Sequence, residues 1–151
     1  MGKKFIVLLL MCAAVICMRK HPDFFEGCVR HPTDRVSPGV CTLVSDLVKN
    51  TSFESYTEPV LKLSANQPRS GYLNALLEMT RVAVQHSDDV SKGAIIRVEF
   101  MTARSACIRP GAYSAAICPP AVSKANGLCQ ARYFMYDKAI LLQRAWCKPL
   151  E

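Results

Sequence analysis

The sequence predicts an α+β fold in which one helix lies across an antiparallel sheet and disulfide bridges act as staples. Three observations carry that prediction. A helical pattern occurs over Ser55 to Asn66, strand patterns recur from Tyr72 to Cys147, and the cysteines around those strands are even in number. With 151 residues the chain is long enough for one domain of ordinary size.

The opening stretch "MGKKFIVLLLMCAAVICMRK" has a basic start at Lys3 and Lys4, then thirteen apolar residues from Phe5 to Cys17, then charge. That order is a secretory signal, and its apolar part is shorter than the ~20 residues that span a bilayer. A cut after Cys17, uncertain by a few residues, removes Cys12 and Cys17 and leaves Cys28, Cys41, Cys107, Cys118, Cys129 and Cys147. The remaining chain carries 17 basic and 12 acidic side chains, and residues 91–151 hold nine Lys or Arg against three acids. Such a bias favours acidic partners or anionic surfaces, but residues 91–151 contain no run of adjacent basic residues.

Residues 18–52 form a leader. Its stretch 18–41 is rich in Pro, His, Gly and charge and reads as extended, tied into a loop by Cys28 and Cys41. Asn50-Thr51-Ser52 is a glycosylation sequon, which places Asn50 on the surface if occupied. The folded domain covers 53–151. Ser55 and Glu58 have capping-box spacing, Pro59 falls in or near the first turn, and Val60, Leu61 and Ser64 supply a helical face. "QPRSG" then breaks the pattern. Tyr72 to Val84 reads as a strand, although "LNALLEMTRV" also fits a helical period. From Gly93 to Cys107, Ile96, Val98 and Phe100 alternate with Arg97 and Glu99, which predicts a strand with one buried face. "LCQARYFMY" and "AILLQRAWC" are two more strands, joined by a tight turn at Asp137-Lys138.

The cysteines are better suited to bridges than to a metal or a redox site. Zinc ligands come in pairs two to four residues apart and redox sites as Cys-x-x-Cys, and neither spacing is present. His21, His31 and His86 are scattered, so no metal is expected. Six cysteines allow fifteen pairings, and sequence does not choose among them. Sequential pairing would close the excursion after one strand (Cys107 with Cys118) and tie the ends of the last hairpin (Cys129 with Cys147). With no Gly-x-Ser-x-Gly and no phosphate loop, and with every mature cysteine better used in a bridge than as a nucleophile, neither an enzyme nor a cofactor is expected.

A helix, two long strands, a Cys at the end of the second, a looped Cys pair with "ICPP", and a hairpin bracketed by two more Cys together resemble the cystatin superfamily over about Ser55 to Cys147. "SYTEPVLKLSANQ" with "YLNALLEM" is similar to cathelin domains, and "GAIIRVEF" leading to Cys107 is similar to chemerin. The resemblance implies a four- to five-stranded antiparallel sheet around one helix, with the last two bridges paired sequentially.

Inhibitory members of that superfamily block papain-like cysteine proteases with a wedge of an N-terminal glycine, a Gln-x-Val-x-Gly first hairpin and a Pro-Trp second hairpin. Here the first hairpin reads Asp89-Val90-Ser91-Lys92-Gly93, so only Gly93 matches. The second turn has Asp137-Lys138 and no Pro-Trp, while Trp146 beside Cys147 suits a packing role. Gly39 is the residue available for the N-terminal glycine. Cathelicidins and chemerin act through segments beyond the last cysteine, where this chain has Lys148-Pro149-Leu150-Glu151, so release of a peptide is not expected. The resulting expectation is a secreted, non-enzymatic, monomeric protein that binds an extracellular protein through its hairpin loops without strong inhibition of papain-like proteases. One alternative is a diverged papain-like protease inhibitor, and a further one a host-defence or anionic-surface binding protein. Neither nucleic acid binding nor stable membrane insertion is expected.

Overall fold

Periodicity leaves "LNALLEMTRV" open between helix and strand; antiparallel pairing with residues 98–108 decides for strand. The computed structural model describes residues 21–30, 37–46 and 51–150. The signal segment and Asn50 lie outside these residues. Five strands form one antiparallel sheet in the order β1 (Thr42–Leu43), β2 (Tyr72–His86), β3 (Ala94–Ile108), β4 (Gly127–Tyr136) and β5 (Ala139–Pro149). Register runs from Tyr72↔Ile108 to His86↔Ala94 between β2 and β3, and from Ala94↔Met135 to Thr102↔Gly127 between β3 and β4. The three bridges are Cys28–Cys41, Cys107–Cys118 and Cys129–Cys147, so every cysteine among the described residues is paired.

The helix is shorter than its sequence pattern. Helix α1 spans Thr57–Lys62, between 3-10 turns at Thr51–Tyr56 and Ser64–Asn66. No capping box forms: Ser55 Oγ donates backwards to the Ser52 carbonyl at 3.0 Å, and the N-cap is Tyr56 without a side-chain cap. Ser64, expected on the buried face, is exposed because the chain has already turned to extended backbone at Leu63. Pro59 does sit in the first turn, where no intrahelical partner exists for an N–H. Val60 and Leu61 are fully buried against the sheet. The carbonyls at the helix end are met by side chains, Asn66 Nδ2 donating to Val60 O at 3.0 Å and Gln67 Nε2 to Leu61 O at 2.9 Å. Gln67 also exchanges hydrogen bonds with the Asn74 backbone at 3.0 and 2.7 Å, clamping the helix end to β2.

The sheet is covered on both faces, which corrects the expectation of one buried face for β3. Ile96, Val98 and Phe100 point to the helix side and are 3, 0 and 0% exposed; Arg97 and Glu99, on the other face, are only 8 and 6% exposed. The cover is the leader, which is folded rather than merely extended. Phe24 N–H donates to Gln130 Oε1 at 2.9 Å, Trp146 Nε1–H donates to Pro22 O at 2.9 Å, and Phe25 packs with Cys41 on Ala83. Thus part of residues 18–52 supplies β1 and the roof of a sheet built mainly from 53–151.

The Glu99 carboxylate, buried under this roof, is compensated locally. Glu99 accepts from Arg81 Nε and Nη2 at 2.8 and 2.6 Å, from Thr80 Oγ1 at 2.8 Å and from Gln130 Nε2 at 2.8 Å. Asp23 accepts from Gln130 Nε2 at 2.9 Å and from Arg81 Nη2 at 3.3 Å, while the Arg81 guanidinium lies 4.4 Å from the Phe25 ring centroid. Burial alone would raise both carboxyls; for Glu99 these side-chain bonds outweigh it, and for Asp23 the Phe25 N–H adds to them, so both stay below the ordinary range.

Candidate functional site

Antiparallel connectivity puts the β2–β3 loop and the β4–β5 turn at the same end of the sheet, and the chain entering β1 joins them. In the first loop, Ser87 N–H donates to Gly93 O at 3.1 Å across the base, and a 3-10 turn at Val90–Lys92 fills the tip. Asp89 organises that tip: its Oδ1 accepts Ser91 Oγ–H at 2.6 Å and Ser91 N–H at 3.0 Å, and its carbonyl accepts Lys92 N–H at 2.8 Å. The Ser91 hydroxyl, then the Ser91 N–H, hold the Asp89 carboxyl below its usual range. The carboxylate is therefore spent on loop structure, whereas the exposed Lys92 is turned to solvent.

Gly93 has φ +89°, and a Cβ there would lie 2.3 Å from Met135 O and 3.2 Å from the Phe134 ring. The two hairpins meet at this point. The second turn is a two-residue loop between Tyr136 and Ala139, with φ 44° at Asp137 and 67° at Lys138, the positive pair that a type I′ turn requires.

Gly39 completes the row. Its N–H donates to His86 O at 2.8 Å and its carbonyl accepts Gln85 Nε2 at 2.9 Å. With φ +76° and a Cβ position only 2.7 Å from Asp88 Oδ1, it is a position for glycine. Together with Gln85, Asp88, Lys92, Ile95 and Phe134 it borders a depression of about 360 Å³.

The structure thus brings Asp89, Val90, Ser91, Lys92 and Gly93 together with Gly39, and sets Asp137 and Lys138 on the adjoining hairpin. Trp146 belongs elsewhere, under the leader and stacked on His21 at 4.9 Å. Two contributors escaped sequence reading: Asp88 and Gln85 are placed by contacts with Gly39. Tyr136, 53% exposed, stands beside the second turn. Among the described residues no cluster of His, Cys, Asp and Glu could hold a metal ion, and no helix is long and apolar enough to cross a membrane.

No family model matches the sequence, and no curated protein matches it. Solved structures do match in shape. Mialostatin, a gut cystatin from the hard tick Ixodes ricinus, is 19% identical with a TM-score of 0.52, over 68% of this chain and 93% of that one. A salivary cystatin from the soft tick Ornithodoros moubata is 16% identical with a TM-score of 0.56, over 74% and 99%. Dimeric human cystatin F is 14% identical with a TM-score of 0.56, over 81% and 96%. This chain therefore has the cystatin fold: one helix on a five-stranded antiparallel sheet, here with three disulfides.

Proposed function

We propose that this cystatin-fold protein is a non-enzymatic extracellular binding protein that engages a protein partner with the row formed by Gly39, the 87–93 loop and the 137–138 turn, without tight inhibition of papain-like proteases. The observation that carries the reading is the alignment of three separate chain segments at one end of the sheet, joined by one backbone and one side-chain hydrogen bond at Gly39 and close contact at Gly93. A row of that kind offers a rigid, protruding edge, which suits a protein surface better than a small molecule. Three disulfides fit an oxidising compartment.

The chemistry of the edge argues against an apolar protease cleft. Asp88, Asp89, Lys92, Asp137 and Lys138 would each have to leave water on entering one, at a cost that only matched partners offset. Gly39, moreover, is pinned between His86 and Gln85 instead of being free to run along a cleft. A second reading, a diverged inhibitor of cysteine proteases, is favoured by the placement of Gly39 beside the first loop, the three-part arrangement of the wedge. A photo-crosslinker at Ser91 or Lys138 tests the first reading, with Ile117, 70% exposed in the connection at the other end of the sheet, as control. Incubated with the fluid into which the protein is secreted, the loop positions should capture one protein that Ile117 does not. Capture from all three positions alike, or from none, would refute it.

A further inference from the structure

On the roofed face of the sheet, three arginines stand in direct cross-strand register: Arg97 on β3 opposite Arg132 on β4, and Arg132 opposite Arg144 on β5. Neighbouring strands lie about 4.8 Å apart, so the row crosses the sheet as a ladder of like charges. Like charges directly opposite one another destabilise a sheet, and acids normally intervene. Among the described residues none does. The acids of the next row on this face, Glu99 and Asp23, are occupied by Arg81 and Gln130. Arg97 donates only to neutral acceptors, Gln85 Oε1 at 2.7 Å and Cys41 Sγ at 2.9 Å. Arg132 and Arg144 make no hydrogen bond or ion pair among the described residues, and Arg132 Nε is buried without an acceptor. Burial, followed by the Arg132 charge, lowers the pKa of Arg97, which is what an uncompensated pair produces.

The surroundings narrow the occupant. Arg97 lies beneath Cys41 and is closed from solvent, Arg132 is half-buried and Arg144 is exposed, so the row opens towards the β5 edge. On one flank the leader stands over the Arg81, Glu99, Gln130 and Trp146 row; on the other run Ile95, Phe134 and Leu141. A ladder of guanidinium groups at strand spacing suits a single extended chain carrying tetrahedral oxyanions, which guanidinium forks match in a bidentate manner.

We propose that the Arg97, Arg132 and Arg144 row binds the ester sulfates of an anionic polysaccharide, with Arg132 and Arg144 as the contacting groups and Arg97 as the fixed inner charge. This site is independent of the loop row. The test is calorimetric titration of the full chain with a heparin-derived hexasaccharide. Each of Arg132→Gln and Arg144→Gln should weaken binding about tenfold, the scale of one charge-assisted hydrogen bond. The double variant should also show a shallower dependence on salt, because fewer counterions are displaced. Arg69→Gln with Lys124→Gln, the same change of charge on exposed residues elsewhere, should leave affinity within about threefold, as expected of screened surface charge. The thermal midpoint of the ligand-free double arginine variant should be unchanged or higher, since like charges are removed. Equal losses in the control pair, or release of the native protein from a heparin matrix at ~0.2 M salt, would reduce the row to general surface charge and overturn the proposal. Full competition by millimolar inorganic sulfate, or stronger binding to phosphatidylserine vesicles abolished by the same two substitutions, would replace the polysaccharide by a free anion or a membrane.

Discussion

Gly93 is the one position of the first hairpin that matches the inhibitory motif, and the structure supplies a reason for it that owes nothing to a protease. Its φ of +89° lies in the left-handed region, and a Cβ would meet Met135 O at 2.3 Å. Gly93→Ala should therefore lower stability by about 1–3 kcal/mol, read from the midpoint of urea unfolding. Lys138 is the converse case. It holds φ 67° with a side chain attached, so Lys138→Gly should stabilise by about 0.5–1 kcal/mol in the same assay. At this scale the tight turn at Asp137-Lys138 was legible in the sequence because two short strands flank a polar pair. The role of Gly39 was not, because it depends on Asp88 and His86, which are far away in the chain and near only once β1 and β2 pair.

Among the elements, the strands were legible where apolar residues alternate, as at Ile96, Val98 and Phe100. Alternation misled at Arg97 and Glu99, because a charged residue reads as solvent-facing unless its partners are known. Those partners, Arg81, Gln130, Asp23 and Gln85, are scattered over more than a hundred positions, and no local pattern announces them. The capping box failed for a related reason: Ser55 found a nearer acceptor in Ser52, and the helix end is held by Gln67, whose value lies in its contact with β2.

The leader's grip on the sheet carries a pH dependence. Glu99 and Asp23 have folded pKa values below their ordinary 4.5 and 3.8, so their contribution is complete above those values and is lost as pH falls through the lower, folded ones. The thermal midpoint should drop on acidification below about pH 4.5, and Glu99→Gln should lower it at neutral pH while flattening that acid limb. Replacing Cys28 and Cys41 together by Ser should cost about 3 kcal/mol by the loop-entropy estimate and increase hydrogen exchange at Phe24 and Val29.

For the molecule as a whole, a shared scaffold and an unshared edge are separate facts. Two faces of the sheet are committed, one to the helix core and one to the leader, which leaves the ends and the β5 side as the surfaces open to partners. The end bearing Gly39, Lys92 and Lys138, proposed above as the partner-binding edge, carries a charge pattern that opposes entry into an apolar cleft such as that of a papain-like protease. The two readings proposed above, a partner bound outside such a cleft and a diverged inhibitor, part on this point. Titration of papain with the protein, followed by residual activity, decides between them most directly. Full papain activity is expected at about 10 μM protein, a weak limit on the affinity scale, whereas stoichiometric loss of activity at nanomolar concentration would overturn the proposed reading.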